Sequence, residues 1–260
     1  MPLILMLAVN LLVGLCVGLT GIAGFLLPMF YSGFLGFPSA VSLALSFSAF
    51  LVSGILGSVN YYRNGNLDLR AGLALSLGSF LGAILGVRLN LLIPESAIKT
   101  ILYLVVLGSG ISILFREQRA ARKEKNQTVK PKETARAGSP SKNSVFYMLL
   151  GLVTGAVCAA SGAGGPVLVM PLLTICGFPA HTAVGVALFD SIFIALPAAW
   201  GYLQVAAAAS ALRLLPLLLV FHGIGVFAGS RYAVRINQKL LKTIVAAASI
   251  LIACVKLGGL

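Results

Sequence analysis

An aspartate and a histidine stand out within the long apolar stretches of this sequence. Asp190 is the only acidic residue in such a stretch, within ALFDS, and His222 lies in the following stretch, within FHG. An ionisable group at membrane depth is expensive and marks a transport pathway or a proton relay by default. We therefore predict that Asp190 carries a coupling proton, with His222 as its partner. A structural carboxyl group that bonds a serine or the backbone is the alternative.

A glycine-rich break interrupts a long apolar stretch in each half of the sequence. Residues 161–166 read SGAGGP within the stretch 145–178, and residues 18–24 read GLTGIAG within the stretch 3–36. As one helix, residues 145–178 would extend about 50 Å, well beyond a bilayer core of roughly 30 Å. Because glycine and proline weaken a continuous helix, we predict half-helices whose free backbone N–H groups bind an anion.

The predicted anion-binding residues are the small residues at these breaks. They are Thr20, Gly21, Gly24, Ser161, Gly162, Gly164 and Gly165. Close packing of helices through small residues is the alternative interpretation. The sequence contains no Cys/His spacing typical of a metal site, so neither a metal nor a cofactor is predicted.

Two arginines, Arg88 and Arg231, each end a Gly-x-x-x-Gly-x-Arg pattern. We predict that both lie at the membrane interface. They either extend toward the headgroups or draw anions to the mouth of a vestibule.

Composition places these residues in a membrane protein. Apolar residues make up 59% of the 260 positions and charged residues 10%, against about a quarter charged in a soluble domain. The apolar stretches run over about 3–36, 38–62, 71–93, 97–115, 145–178, 181–205, 211–233 and 240–257. Backbone groups in lipid must be bonded internally, so we predict an all-α polytopic membrane protein.

The second half of the chain aligns with the first at an offset of 143 residues. Residues 40–50 (AVSLALSFSAF) meet residues 183–193 (AVGVALFDSIF), and scarce residues match as well, such as Pro28 with Pro171. We therefore predict two homologous repeats of about four apolar segments each, residues 1–115 and 145–260. Such duplication is the usual plan of secondary transporters, which bind substrate at the interface of the repeats.

The net charge of +13 is concentrated in one stretch. Nine of the 19 Lys and Arg residues lie between Arg116 and Lys142, in a polar segment without apolar periodicity. This pattern is typical of a disordered linker and, between membrane segments, of the cytoplasmic face. We predict a cytoplasmic linker over residues 116–144 in a multi-pass protein of the cell (inner) membrane. The lipid bilayer is its predicted partner, and no nucleic-acid partner is predicted.

The motifs occur in the same order in both halves and resemble those of the sulfite exporter TauE/SafE family. They are the glycine-rich break followed by proline, the Gly-Phe-Pro turns at 36–38 and 177–179, an Ala-Val-rich helix, and the Gly-x-x-x-Gly-x-Arg patterns. The stretch YYRNGNLD at 61–68 adds to the likeness. The resemblance covers nearly the whole chain except the linker. It implies a transporter of small sulfur-containing anions such as sulfite, thiosulfate or organosulfonates.

Other functions remain as alternatives. A passive anion channel or a membrane assembly protein would share the same composition. An intramembrane protease is disfavoured, because the serine-glycine turn at Ser161 recurs near Thr20 in a half that contains no histidine, and we predict no enzyme. The oligomeric state stays open, with a homodimer as one alternative.

Orientation depends on the broken segments. If each crosses the membrane once, both halves have the same orientation and the basic residues from Arg231 onward face outward, against the positive-inside tendency. If each folds back or crosses twice, the repeats are inverted. We favour inverted repeats.

Overall fold

The computed structural model describes residues 2–94 apart from Ile22, residues 143–232, and scattered residues within 96–115 and 243–258. The basic stretch 116–142 lies outside the described residues, so the linker and the domain boundaries stay predictions. The last apolar stretch, 240–257, is described only in part.

All regular structure among the described residues is helical, which confirms the all-α class. The helices are α1 (Pro2–Thr20), α2 (Ala23–Phe34), α3 (Ser39–Arg63), α4 (Leu69–Leu92), α5 (Ser144–Ser161), α6 (Gly165–Ile175), α7 (Ala180–Ala206) and α8 (Leu215–Tyr232). Helix α2 starts as a 3-10 turn, Ala23–Phe25, and ends as a π-turn, Phe30–Phe34. A 3-10 turn, Ser210–Leu214, precedes α8. Six helices in the described part are long and apolar enough to cross a bilayer, whereas α2 and α6 are shorter.

Local sequence explains where several helices begin. Asp68 caps α4 by accepting a hydrogen bond from the Ala71 N–H at 3.0 Å, and Asn143 caps α5 through the Val145 N–H at 3.1 Å. Short polar side chains at this position pair the N–H groups that the first helical turn leaves free. The two Gly-Phe-Pro turns precede α3 and α7, and a proline stands immediately before each helix.

Helices α4 and α5 run parallel and approach through glycines. Gly78, Gly82 and Gly86 of α4 face the backbone of Met148, Leu152 and Ala156 of α5 in the same order. A Cβ at Gly82 would lie 2.9 Å from the Ala156 nitrogen, closer than any side chain tolerates. Close backbone contact through small residues is the usual way in which membrane helices associate.

Helices α1 and α8 form a second parallel pair of the same kind. Gly14 and Gly18 of α1 face the backbone of His222 and Val226 of α8 in the same order. From the other side, Gly225 and Gly229 of α8 face Leu11 and Leu15 of α1. At the 143-residue offset, Gly82 and Gly86 of α4 correspond to Gly225 and Gly229 of α8, so both α4 and α8 use glycines at matching positions.

Helices α3 and α7 cross the centre of the molecule antiparallel to each other. The Phe47 ring stacks on Tyr202 with centroids 5.8 Å apart, while Gly57 faces Leu188 further along α3. Helix α7 also runs parallel to α4, where Gly72 faces Phe189 and Gly201 faces Val87.

Helix α3 runs parallel to α8. Gly223 of α8 faces Val52 of α3, and Asn60 of α3 donates a hydrogen bond to Ser230 of α8. Helices α1, α3 and α8 therefore point one way, and α4, α5 and α7 point the other way.

These directions require α2 and α6 to bring the chain back. Helices α1 and α3 point the same way, so α2 folds back along α1, where Asn10 donates to the Tyr31 hydroxyl at 2.7 Å. Likewise α6 folds back along α5, and the Tyr147 ring packs edge-on against Phe178 with centroids 5.9 Å apart. Each broken segment is a helical hairpin, and α1 and α5 point in opposite directions, as expected of inverted halves. The homology of the two halves stays a prediction from the sequence.

The helix directions predict opposite accessibility for two matched loop positions. Asn64, after α3, and Ala208, after α7, are both exposed and occupy nearly equivalent places at the 143-residue offset. In a variant without native cysteines, Asn64→Cys and Ala208→Cys should react with a membrane-impermeant maleimide from opposite sides of the membrane. The two preparations to compare are intact cells and inverted vesicles. If both cysteines react in the same preparation and neither reacts in the other, the inverted arrangement is contradicted.

Candidate functional site

The break between α5 and α6 takes three residues. Helix α5 ends at Ser161, and Gly162 follows with φ 76°, a left-handed conformation that suits glycine at a helix end. Gly164 has φ 77° and ψ 148°, a region that is essentially restricted to glycine. Helix α6 then starts at Gly165 with a proline in its first turn, where a missing N–H costs least. The predicted interruption is thus present.

The break between α1 and α2 is built in a similar way. Helix α1 ends at Thr20, whose hydroxyl donates to the Cys16 carbonyl at 2.8 Å. Gly21 follows with φ 73°, and its N–H donates to the Val17 carbonyl at 2.7 Å. The 3-10 turn that starts α2 comes directly after this hairpin tip.

The two hairpin tips meet, and the middle of α3 and of α7 closes the space between them. We call this space the central cavity. It is lined by Val17, Gly21 and Gly24 from the first hairpin, Ala163, Gly164, Pro166 and Val167 from the second, Phe50 and Ser53 from α3, and Leu188 and Ser191 from α7. Its volume is about 10 Å³, enough for about one water molecule. The described conformation is therefore closed around a small central space.

The lining of the central cavity is neutral, since none of the described residues that line it is charged. Its electrostatics therefore come from the backbone. The half-helices α2 and α6 both start at the cavity, so the positive ends of two helix dipoles point toward it. This arrangement favours an anion without the cost of burying a cationic side chain.

Hydrogen bonding at the second break differs between its two helix ends. The Ala159 carbonyl accepts from the Tyr202 hydroxyl at 2.8 Å, and the Ala160 carbonyl accepts from the Asn90 amide at 2.6 Å. Side chains from α7 and α4 thus satisfy carbonyl groups that the end of α5 leaves free. At the start of α6, by contrast, Gly164 offers no side chain to cap the first N–H groups. Two carbonyl groups near the end of α5 thus have side-chain partners, whereas the start of α6 has no side-chain cap.

Of the predicted anion-binding residues, Gly21, Gly24 and Gly164 line the central cavity. Gly165 starts α6 beside it, where a Cβ would lie 3.1 Å from the Ser191 Cβ. Gly162 faces Leu43 and Pro28 instead.

The two hydroxyl residues at the breaks bond to their own helices. The Ser161 hydroxyl donates to the Val157 carbonyl at 2.7 Å and accepts from the Ala163 N–H at 3.3 Å, while Thr20 bonds Cys16. Neither Ser161 nor Thr20 lines the central cavity. Ser161 instead borders a second small space, together with Pro28, Ser32, Ser39, Ser42, Leu43 and Ile98.

Sequence reasoning missed most of the lining residues, among them Phe50, Ser53 and Ser191. A usable signal was present, since Phe50 and Ser191 both lie in the best-matched stretches of the two halves, 40–50 and 183–193. Ser53 carried no such signal. Which side chains of a helix face a cavity depends on its rotation in the bundle, and the matched stretches do not encode that rotation.

Asp190 is fully buried on α7, one residue away from the cavity-lining Ser191. Its side chain faces α4 beside Ser76 and Ser79, and Cys158 of α5 is a further neighbour. Among the described residues, no donor meets strict hydrogen-bond geometry at either carboxylate oxygen, although the Ser76 and Ser79 hydroxyl groups are close to them. An ionised carboxylate is expensive at membrane depth, and a bound proton removes that charge.

The expected pair between Asp190 and His222 is not formed. His222 lies on α8 and faces α1, where its Nδ1 is 3.2 Å from the Asn10 carbonyl. Its Nε2 atom has no partner among the described residues. The two groups lie at different helix interfaces, α4–α7 and α1–α8, because each projects from its helix in a different direction. That the two apolar stretches are neighbours in the sequence does not determine which way each side chain projects.

The two arginines of the Gly-x-x-x-Gly-x-Arg patterns are exposed. Arg88 lies near the end of α4 and Arg231 near the end of α8, so they stand at opposite ends of the bundle. Neither lines the central cavity, and a vestibule role stays a prediction. Among the described residues, no cluster of three or more His, Cys, Asp or Glu side chains could hold a metal ion.

Comparison with known proteins adds one match. The sequence model of the family described as sulfite exporter TauE/SafE matches residues 6–256. No curated protein and no solved structure matches the chain. The family match spans nearly the whole chain, and the bundle contains six described helices able to cross a bilayer. The chain therefore belongs to the sulfite exporter TauE/SafE family of membrane transporters and is a multi-pass membrane protein.

Proposed function

We propose that this protein is a secondary transporter that moves small sulfur-containing anions, such as sulfite, thiosulfate or an organosulfonate, in exchange for or together with protons. The observation that carries this proposal is the uncapped start of α6 at the central cavity. Free N–H groups and a helix dipole bind an oxyanion without a basic side chain. Family membership supports sulfur oxyanions as the substrate class.

The small cavity is compatible with a transporter that works by alternating access. A sulfite ion has four non-hydrogen atoms and needs more room than a cavity of about 10 Å³ provides. Substrate therefore binds only after the two hairpins, α3 and α7 have shifted. Movement of two oppositely directed halves around one central site is the usual basis of alternating access. A channel, by contrast, keeps a continuous path in its open state.

Basic residues suggest the orientation that we propose. Arg63, Arg70 and Arg231 lie at the end of the bundle where α5 starts, which is the end reached by the basic stretch 116–142. Arg88 and Arg213 lie at the opposite end. By the positive-inside tendency, we place the linker end in the cytoplasm of a protein in the cell (inner) membrane.

Asp190 is the residue that we propose for proton coupling. It is the buried carboxyl group nearest along the chain to a cavity-lining residue, Ser191. The nearby hydroxyl groups of Ser76 and Ser79 offer partners to a protonated carboxyl group. His222 is the second candidate from the sequence, at the separate α1–α8 interface.

Flux measurements on the purified protein in vesicles test the function directly. Vesicles preloaded with sulfite, thiosulfate, sulfoacetate or sulfate should release at least one sulfur anion faster when a pH gradient is imposed. A protonophore should remove that acceleration. Flux that follows the membrane potential alone and ignores the pH gradient would indicate a passive channel. The absence of protein-dependent flux for all four anions would contradict the transporter.

Adding a single methyl group at the start of α6 should remove anion binding. In Gly164→Ala the new Cβ lies 3.3 Å from the Phe50 ring, at the residue that precedes the start of α6, so it obstructs the approach of an oxygen atom to that helix start. Binding of sulfite to the detergent-purified protein, followed by isothermal calorimetry, should become undetectable.

Gly65→Ala is the matched control for this variant. Gly65 also has a positive φ, 70°, but a Cβ there meets open space. Both variants place a side chain at a positive φ, where backbone strain is about 1–3 kcal/mol, and only Gly164→Ala places a Cβ at the cavity. If a folded Gly164→Ala protein binds sulfite normally, the glycines at the break serve helix packing and do not form an anion site.

Removing the proton-binding group should make the rate of anion transport independent of the pH gradient. Asp190→Asn keeps the size and hydrogen-bonding capacity of the side chain but cannot exchange a proton. We expect a folded, inserted protein whose anion flux no longer accelerates under a pH gradient. Asp68→Asn is the control, because asparagine also caps a helix start and Asp68 lies outside the bundle core. A pH response that survives in Asp190→Asn would make Asp190 structural.

A further inference from the structure

The Phe50 ring stands between the two hairpin tips. It projects from the middle of α3, is 4% exposed and lines the central cavity. A Cβ built at Gly24 of the first hairpin would lie 2.9 Å from its Cε1 atom, and one at Gly164 of the second would lie 3.3 Å from its Cε2 atom. The opposite edges of the ring thus face the starts of the two half-helices.

The ring is the largest group that lines the cavity. The other lining residues are glycine, alanine, serine, proline and valine, apart from one leucine, Leu188. Because only about 10 Å³ remains free, an oxyanion that reaches both helix starts must take the volume that this ring fills. Displacement of the ring is thus the step that changes a closed space into a binding site.

A chain of aromatic contacts ties the ring to the second hairpin. The Phe50 ring packs edge-on against Phe47 at 5.5 Å, and Phe47 stacks on Tyr202 of α7 at 5.8 Å. The Tyr202 hydroxyl bonds the Ala159 carbonyl near the end of α5. A shift of α7 or of the second hairpin therefore changes the support of the ring, and ring position follows the packing of the two halves.

We infer that Phe50 closes the anion site and sets the largest anion that it accepts. The inference rests on the proposed anion site and adds a size-selecting residue to it. Phe193 provides a comparison within the same chain. It aligns with Phe50 at the 143-residue offset, is half-buried, packs against Phe189 and is not among the residues that line the central cavity.

Anion selectivity in vesicles tests this role. Flux of sulfite and of the larger sulfoacetate is measured for the wild type, Phe50→Ala, Phe50→Leu and Phe193→Ala, each checked for folding by size-exclusion chromatography. The ratio of sulfoacetate flux to sulfite flux should rise severalfold in Phe50→Ala and less in Phe50→Leu. In Phe193→Ala the ratio should stay at the wild-type value.

Each outcome decides the inference. An unchanged ratio in the folded Phe50 variants, or an equal rise in Phe193→Ala, overturns it while the transport function stands. If Phe50→Ala fails to fold, the ratio in Phe50→Leu decides in the same way. If the wild-type protein moves neither these nor other sulfur anions, the proposed function fails and the size-selecting role fails with it.

Discussion

A helix that stops inside a bilayer leaves backbone groups without water to pair them, and this cost shapes the whole molecule. The first N–H groups and last carbonyl groups of any helix lack intrahelical partners, and lipid offers none. Here two helices, α1 and α5, stop between the ends of the bundle. The protein keeps both breaks buried by directing them at each other. The breaks that follow α1 and α5 thereby lie beside one small central cavity.

At the second break, the carbonyl groups that end α5 and the N–H groups that start α6 differ in their side-chain hydrogen bonds. Asn90 and Tyr202 reach across from α4 and α7 to the carbonyl groups at the end of α5. The start of α6 has glycine in the capping position and receives no side-chain cap. The φ of 77° and ψ of 148° at Gly164 suit glycine, and a serine or an aspartate there would cap the helix only with backbone strain. A helix start without a side-chain cap, beside a neutral cavity, is what the proposed anion site requires.

Close backbone packing holds the hairpins where they can meet. The parallel pairs α1–α8 and α4–α5 approach through glycines, and a side chain at any of these glycines would push the helices apart. The antiparallel pair α3–α7 fills the centre with larger side chains, Phe47, Phe50 and Tyr202 among them. The outer pairs thus fix the position of the breaks, and the inner pair controls the volume between them.

The sequence by itself determined the class, the two breaks and most of the glycines that matter. Apolar stretches of membrane length admit only helices in lipid, and clustered glycine with proline interrupts a helix wherever it occurs. These are local properties of the sequence, and they can be recognised without knowing which segments pack against each other. The repeat offset also singled out residues 40–50 and 183–193, which supply Phe50 and Ser191 to the cavity.

Only the tertiary structure decided how these pieces combine. The sequence left the broken segments free to cross once or to fold back, and the Asn10–Tyr31 bond and the Tyr147–Phe178 contact define hairpins. It suggested an Asp190–His222 pair, yet the two residues face different neighbours, α4 and α1. Helix direction and rotation arise from contacts between segments far apart in the chain. Local composition does not specify such contacts, because many rotations of an apolar helix bury comparable area.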